Sequence, residues 1–178
     1  ITPHLSPSAA LSFAQERLWF LHKFGGREGG LGSTYNVAAA VRLRGALDGE
    51  AVRRAVAEII RRHSILRSVF IEEHSGVVQR VERDGAALRC VDLSAVPSSE
   101  RESATGEFIA REAAHVFKLE GQVLVRFSLV RLAQTTHCFV CVLHHLVTDG
   151  WSMGVLFREF AALYQAFAQA RPSPLADL

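Results

Sequence analysis

The sequence predicts an α/β fold: a two-layer sandwich with a mixed, largely antiparallel sheet and helices packed on it. Three observations carry that expectation. Segments of helical periodicity and segments rich in β-branched residues are interleaved, but not in the strict strand–helix–strand order of a parallel sheet. Apolar runs joined by short polar turns read as hairpins: Ile65 to Ile71 with Val77 to Val81, and Val123 to Leu132 with His137 to His145. The 178 residues suit one domain with a proper core, with no internal repeat or low-complexity tract.

Taken in order, the first nine residues carry two prolines and read as an extended lead-in. Ser12-Phe13-Ala14-Gln15 is a capping box, in which the serine hydroxyl accepts from the N–H of residue 15 and the Gln15 amide reaches back. It opens a helix over 12–23, with Leu11, Ala14, Leu18 and Leu21 at helical spacing and Trp19 and Phe20 widening the apolar side. Gly25-Gly26 and Gly29-Gly30 end it in a loop that runs to Ser33. Tyr35 to Arg44 is a strand. Asp48 caps a helix whose Val52, Ala55, Val56, Ile59 and Ile60 form one buried stripe, ending near Arg62-His63. The first hairpin turns at His74-Ser75-Gly76, and Leu88 to Leu93 is a further short strand. Ser99-Glu100-Arg101-Glu102 reads as a second capping box, opening a helix to about Phe117 that buries Phe108, Ile109, Ala113, Val116 and Phe117. The last helix, about 152–170, carries Met153, Leu156, Phe160, Leu163, Tyr164 and Phe167 on one face. Residues 171–178, with two prolines, read as a linker leading onward, which points to a fragment of a longer protein.

Composition excludes several classes of function. Apolar residues make up 49% and charged residues 21%, as in ordinary soluble domains. A formal charge of +2 with scattered basic residues gives nucleic acid no electrostatic footprint. No apolar run approaches the ~20 residues of a membrane span and no signal peptide is visible, so the expected compartment is the cytoplasm. Cys90, Cys138 and Cys141 read as buried, reduced thiols, since Cys138 and Cys141 fall inside a strand pattern rather than at a turn. The sequence has no nucleophile elbow, phosphate-cradling glycine motif or catalytic cysteine environment.

Chemistry concentrates at His144-His145-Leu146-Val147-Thr148-Asp149-Gly150. An almost wholly apolar strand ends in two imidazoles, an Asp-Gly turn and a helix start. Histidine is the side chain whose ordinary pKa lies near neutrality. Metal binding is excluded by strand geometry. His137, Cys141 and His145 share one strand face, but four residues of strand span roughly 13 Å, too far for consecutive members to hold one ion. The same alternation turns His144 and His145 to opposite faces, so at most one is the reactive group and the other is packed. Asp149 has two readings: it orients the imidazole directly, or it pairs with a cation and fixes the loop. Under the second reading the partner is Arg62 or Arg67. For His4, His22, His63, His74 and His115 no partner is evident.

Three blocks in order resemble the core motifs of condensation domains from non-ribosomal peptide synthetases, within the chloramphenicol-acetyltransferase-like superfamily. Ser12 to Leu21 is similar to SxAQxRLWxL. Arg62 to Phe70 is similar to RHExLRTxF, with Ser64 and Ser68 replacing the usual Glu and Thr. Leu143 to Ser152 is similar to MHHxxxDGWS, with Leu for Met. HHxxxDG alone is shared with epimerisation domains and other acyltransferases, but the first block argues against an epimerisation lobe. A non-catalytic carrier-docking lobe is the remaining alternative.

The resemblance covers essentially all of residues 1–178, while the family domain is about twice as long. It therefore implies an N-terminal lobe of the chloramphenicol-acetyltransferase-like fold, with the C-terminal lobe missing, inactive by itself. It further implies amide-bond formation between two thioesters delivered on phosphopantetheine arms by donor and acceptor carrier domains. No cofactor or metal is bound directly, and neither nucleic acid nor membrane takes part. By position His145 is the catalytic imidazole, acting as a base on the acceptor amine or orienting it and stabilising the intermediate, with His144 supporting it. Gly150 lets the backbone approach the reacting carbonyl, and the helix N-terminus after it favours negative charge. Asp149 maps to a structural carboxylate paired with an arginine, Arg62 first and Arg67 second. The wording of the blocks leans towards the subtype that joins L-configured donors to L-configured acceptors.

Overall fold

A computed structural model of the protein describes residues 8–25, 32–74 and 76–178. The start of the expected lead-in with His4, most of the glycine loop, and Ser75 at the hairpin turn lie outside the described residues. The α/β class holds, but the strands form two separate open sheets. One has three strands, β1 (Ser8–Ala10), β3 (Ser68–Glu73) and β4 (Gly76–Val81), in the order β1-β4-β3 and antiparallel throughout. The end of the lead-in is thus an edge strand rather than free extended chain. The other sheet holds β2 (Asn36–Arg44), β5 (Leu88–Asp92), β6 (Val125–Ala133) and β7 (Thr136–His144), in the order β2-β7-β6-β5. Its pairs are antiparallel except β5 with β6, which run parallel.

Four helices complete the fold: α1 (Phe13–Gly25), α2 (Gly49–Arg62), α3 (Arg101–Ala113) and α4 (Gly150–Ala168). Both faces of the four-stranded sheet are covered, which is why almost all of β7 is buried. On one face Phe139 stacks on Phe160 of α4 at 4.5 Å between ring centres. On the other, Arg126 of β6 reaches Glu112 of α3 at 2.9 Å. Helices α2 and α4 pack together through Ala51, Val52, Ala55, Val56, Ile59 and Ile60 on one side and Met153, Leu156, Phe160 and Leu163 on the other. Asp48 caps α2 as expected, accepting from the N–H groups of Glu50 (2.9 Å) and Ala51 (3.1 Å).

Several expectations need correction. Ile65 to Arg67 belong to a 3-10 turn, Ser64–Arg67, so the first hairpin begins at Ser68. Ser99 does not cap α3. The Pro97 carbonyl takes the N–H groups of Glu100 and Arg101, and the helix begins at Arg101 without a side-chain cap. That helix also stops at Ala113, because Asn36 Nδ2 donates to the carbonyls of Ala113 (2.8 Å) and His115 (2.7 Å) and satisfies its last turn. Phe117 is still buried, but from the loop after the helix, and Val116 is exposed. On α1 Trp19 is the buried aromatic and Phe20 is exposed. Cys138 and Cys141 are buried free thiols, whereas Cys90 lies exposed on edge strand β5. Most of residues 171–178 are exposed, with two points of contact: Arg62 Nη1 donates to the Ala176 carbonyl (2.7 Å), and Leu175 packs on the core.

Candidate active site

The site is built where β7 runs out. The strand ends at His144, and its pleat, together with the register against β2 and β6, aims that side chain into the core. His144 is 3% exposed, between Tyr35 and Phe117, whose rings meet it edge-on at 6.2 and 6.3 Å. One residue on, the chain has left the strand and His145 is exposed. The pair is split between core and surface.

Hydrogen bonds between backbone groups hold the turn on the sheet side. His144 N–H donates to the Leu124 carbonyl (3.0 Å), His145 N–H to the Tyr35 carbonyl (2.8 Å) and Val147 N–H to the His144 carbonyl (2.9 Å). Side chains supply the rest. Leu146 N–H donates to His144 Nδ1 (3.2 Å). An imidazole that accepts at Nδ1 carries its proton, when neutral, on Nε2. Burial, then the charges of His22 and His145, push the His144 pKa down to about 4, so the ring is neutral near pH 7. A further bond comes from far along the chain, where Gln15 Nε2 donates to the Leu146 carbonyl (3.0 Å).

Asp149 is the N-cap of α4. Its Oδ1 accepts from Ser152 N–H and Ser152 Oγ–H, each at 2.7 Å. These two hydrogen bonds, with a smaller contribution from His145, hold its carboxyl below the ordinary aspartate range. Neither arginine is its partner among the described residues. Arg62, with a side chain only 4% exposed, faces Glu159 Oε2 at 3.4 Å, and Arg67 Nη1 donates to the Glu82 carbonyl (2.7 Å). The reason is physical: a buried guanidinium needs a nearby carboxylate, whereas an exposed carboxylate at a helix start is satisfied by N–H and O–H donors. The same cap places the Asp149 carboxylate at the positive end of α4. Gly150 is the first residue of that helix, and apart from its chain neighbours and its own helix backbone no atom lies within 4 Å of where its Cβ would stand.

His144, His145, Asp149 and Gly150 therefore share one turn, while Arg62 and Arg67 serve other partners. Two features went unseen in the sequence. His63 meets Glu159 at 2.8 Å, so the half-buried carboxylate is shared by an imidazole and a guanidinium. Glu112, buried in α3, is bound by Arg89 (3.0 Å) and Arg126 (2.9 Å). A carboxylate in a predicted helix gives no local sign of partners on a distant sheet.

With this geometry in place, comparison with known proteins fixes the class. A model of the condensation domain matches residues 6–178, and the chain belongs to that family. Among individual relatives, chondramide synthase cmdD of Chondromyces crocatus is 40% identical over 168 residues, covering 94% of this chain and 4% of that protein. Malpinin synthetase of Mortierella alpina is 36% identical over 169 residues, covering 94% of this chain and 2% of the synthetase. In fold, the starter condensation domain of rhizomide synthetase RzmA superposes with a TM-score of 0.86 at 21% identity, over 97% of this chain and 41% of that one. The first condensation domain of the calcium-dependent antibiotic synthetase gives 0.80 at 23% identity, over 97% and 41%. The chain thus spans about two fifths of these solved condensation domains and a few per cent of the synthetases.

Proposed function

We propose that this chain is the N-terminal lobe of a condensation domain that joins a donor acyl or peptidyl thioester to an acceptor aminoacyl thioester. Both substrates arrive on the phosphopantetheine arms of carrier domains, and a C-terminal lobe completes the site. The acceptor amine attacks the donor carbonyl, a C–N bond forms, the C–S bond breaks, and the donor arm leaves as a thiol after the amine has lost a proton.

The observation that carries this reading is the split histidine pair. His145 is exposed on a turn whose backbone is held on every side, beside a buried, neutral His144. Two actions of that imidazole fit the chemistry. It takes the proton of an amine whose pKa lies near ~8, or it orients the amine and steadies the charged tetrahedral intermediate. The open space at Gly150 admits a thioester close to the backbone. Asp149 supports the turn as the cap of α4, and the Arg62–Glu159 pair supports the same helix from α2.

The test is made in the intact domain with both carriers loaded, by mass spectrometry of the carrier-bound product. His145→Ala abolishes product, and a wild-type yield from that variant removes His145 from the reaction.

A further inference from the structure

We infer that Gln15 is a positioning residue for His145, holding from α1 the peptide segment that aims the imidazole. The inference deepens the proposed reaction and rests on His145 being its reacting group. The hydrogen bonds of the Gln15 amide each have one possible sense. Its Oε1 accepts from Ser12 N–H (2.9 Å), and its Nε2 donates to the Leu146 carbonyl (3.0 Å) and to Gln79 Oε1 (3.0 Å). A flipped amide would set N–H against N–H at Ser12 and oxygen against oxygen at Leu146. The orientation is therefore forced, and the side chain works as a three-way junction between α1, strand β4 and the turn after β7.

What the junction grips is the residue next to His145. Leu146 has a buried side chain, its N–H is taken by His144 Nδ1, and its carbonyl is taken by Gln15. The other bonds of the turn, from His144, His145 and Val147, all return to the four-stranded sheet or its margin. Gln15, bonded to Gln79 on β4, ties the turn to the three-stranded sheet. Without it a carbonyl in the turn loses its donor, and the backbone beside His145 is free to rotate towards a new one. Displacing a reacting group by about 1 Å costs on the order of 100-fold in rate. The capping box thus has a second task besides starting a helix.

The variant that isolates this task is Gln15→Glu in the intact condensation domain, assayed with both carriers loaded. The carboxylate keeps an acceptor for Ser12 N–H and loses the donor to Leu146. Its kcat is expected to fall about 10- to 100-fold, with apparent KM for each loaded carrier within about twofold. Gln15→Asn keeps the amide but is one methylene too short to reach, and is expected to lose kcat in the same sense if the carboxylate variant folds poorly. Ser12→Ala is the structural control: it removes the hydroxyl that accepts from Gln15 N–H (3.3 Å) and leaves the Leu146 contact in place. It is expected to lower the melting temperature while kcat stays at the wild-type value. Wild-type kcat in both Gln15 variants overturns the inference, as does a loss confined to KM, or an equal loss of kcat in Ser12→Ala. His145→Ala in the same assay separates the two levels. If that variant is active the catalytic reading itself falls and the inference with it. If it is dead while the Gln15 variants are fully active, the inference alone falls.

Discussion

Two neighbouring imidazoles, His144 and His145, have opposite surroundings because the strand ends between them. His144 is packed against Tyr35 and Phe117 and accepts a backbone N–H at Nδ1, so protonation there would both charge a buried ring and break a hydrogen bond. Its folded pKa of about 4 against an ordinary 6.5 makes stability depend on pH. Above 6.5 neither state binds the proton and the contribution is flat. Between 6.5 and about 4 the unfolded chain takes up a proton that the folded one refuses, so stability falls as the pH falls. Within that window each pH unit costs on the order of 1 kcal/mol from this one group. Urea unfolding of the wild type and of His144→Asn, whose Oδ1 can stand in for Nδ1, isolates the effect. The wild type should lose stability more steeply than the variant below pH 6.5, and parallel curves would show that another group carries the acid sensitivity.

At the scale of the elements, Asp149 and α4 show how local and distant causes divide. A cap needs only the next three residues, yet the expected partner of Asp149 was the imidazole or an arginine, and its role as the N-cap of α4 was missed. Asp149→Asn keeps a side-chain oxygen for Ser152 N–H and should leave the melting temperature near wild type, whereas Asp149→Ala should lower it by roughly 2–4 °C. Under an arginine pairing both variants would destabilise, and scanning calorimetry decides. The same division explains what was legible. The box at Ser12 and Gln15, the cap at Asp48, the stripe of α2 and the antiparallel β6–β7 pair all follow from residues close in sequence. The second capping box failed because a carbonyl two residues earlier, that of Pro97, took the N–H groups first. The end of α3 was out of reach because Asn36, 77 residues away, closes it. At the site, the split of His144 from His145 was expected from strand alternation but comes from β7 ending at His144, and the partner of Arg62 lies 97 residues on, in Glu159. The reach of Gln15 to Leu146, across 131 residues, left no local mark beyond the capping pattern.

On the scale of the whole molecule, the proposed function makes the surroundings of His145 one half of a site. Trp151, in the first turn of α4, is 83% exposed, and Phe13, in the first turn of α1, is 92% exposed. The two helices meet the same turn, α1 through Gln15 and α4 through the Asp149 cap. Large apolar side chains at such positions favour burial against another surface. The solved condensation domains that match this fold are more than twice as long, since the chain covers 41% of each. A reaction between two tethered thioesters gains its rate from holding amine and carbonyl at near-attack distance, an advantage worth roughly 7–11 kcal/mol when fully realised. A single exposed turn can contribute the imidazole, but it cannot orient two arms arriving from different sides or exclude water from between them. The 178-residue chain should therefore form no carrier-bound product when mixed with both loaded carriers, under conditions in which the intact domain turns over. The same mixture should show only the background hydrolysis of each thioester, followed by mass spectrometry of the intact carriers. Turnover by this chain would mean that one lobe is enough to align both substrates, and the exposed aromatics at Phe13 and Trp151 would then have to be read as part of the substrate surface itself.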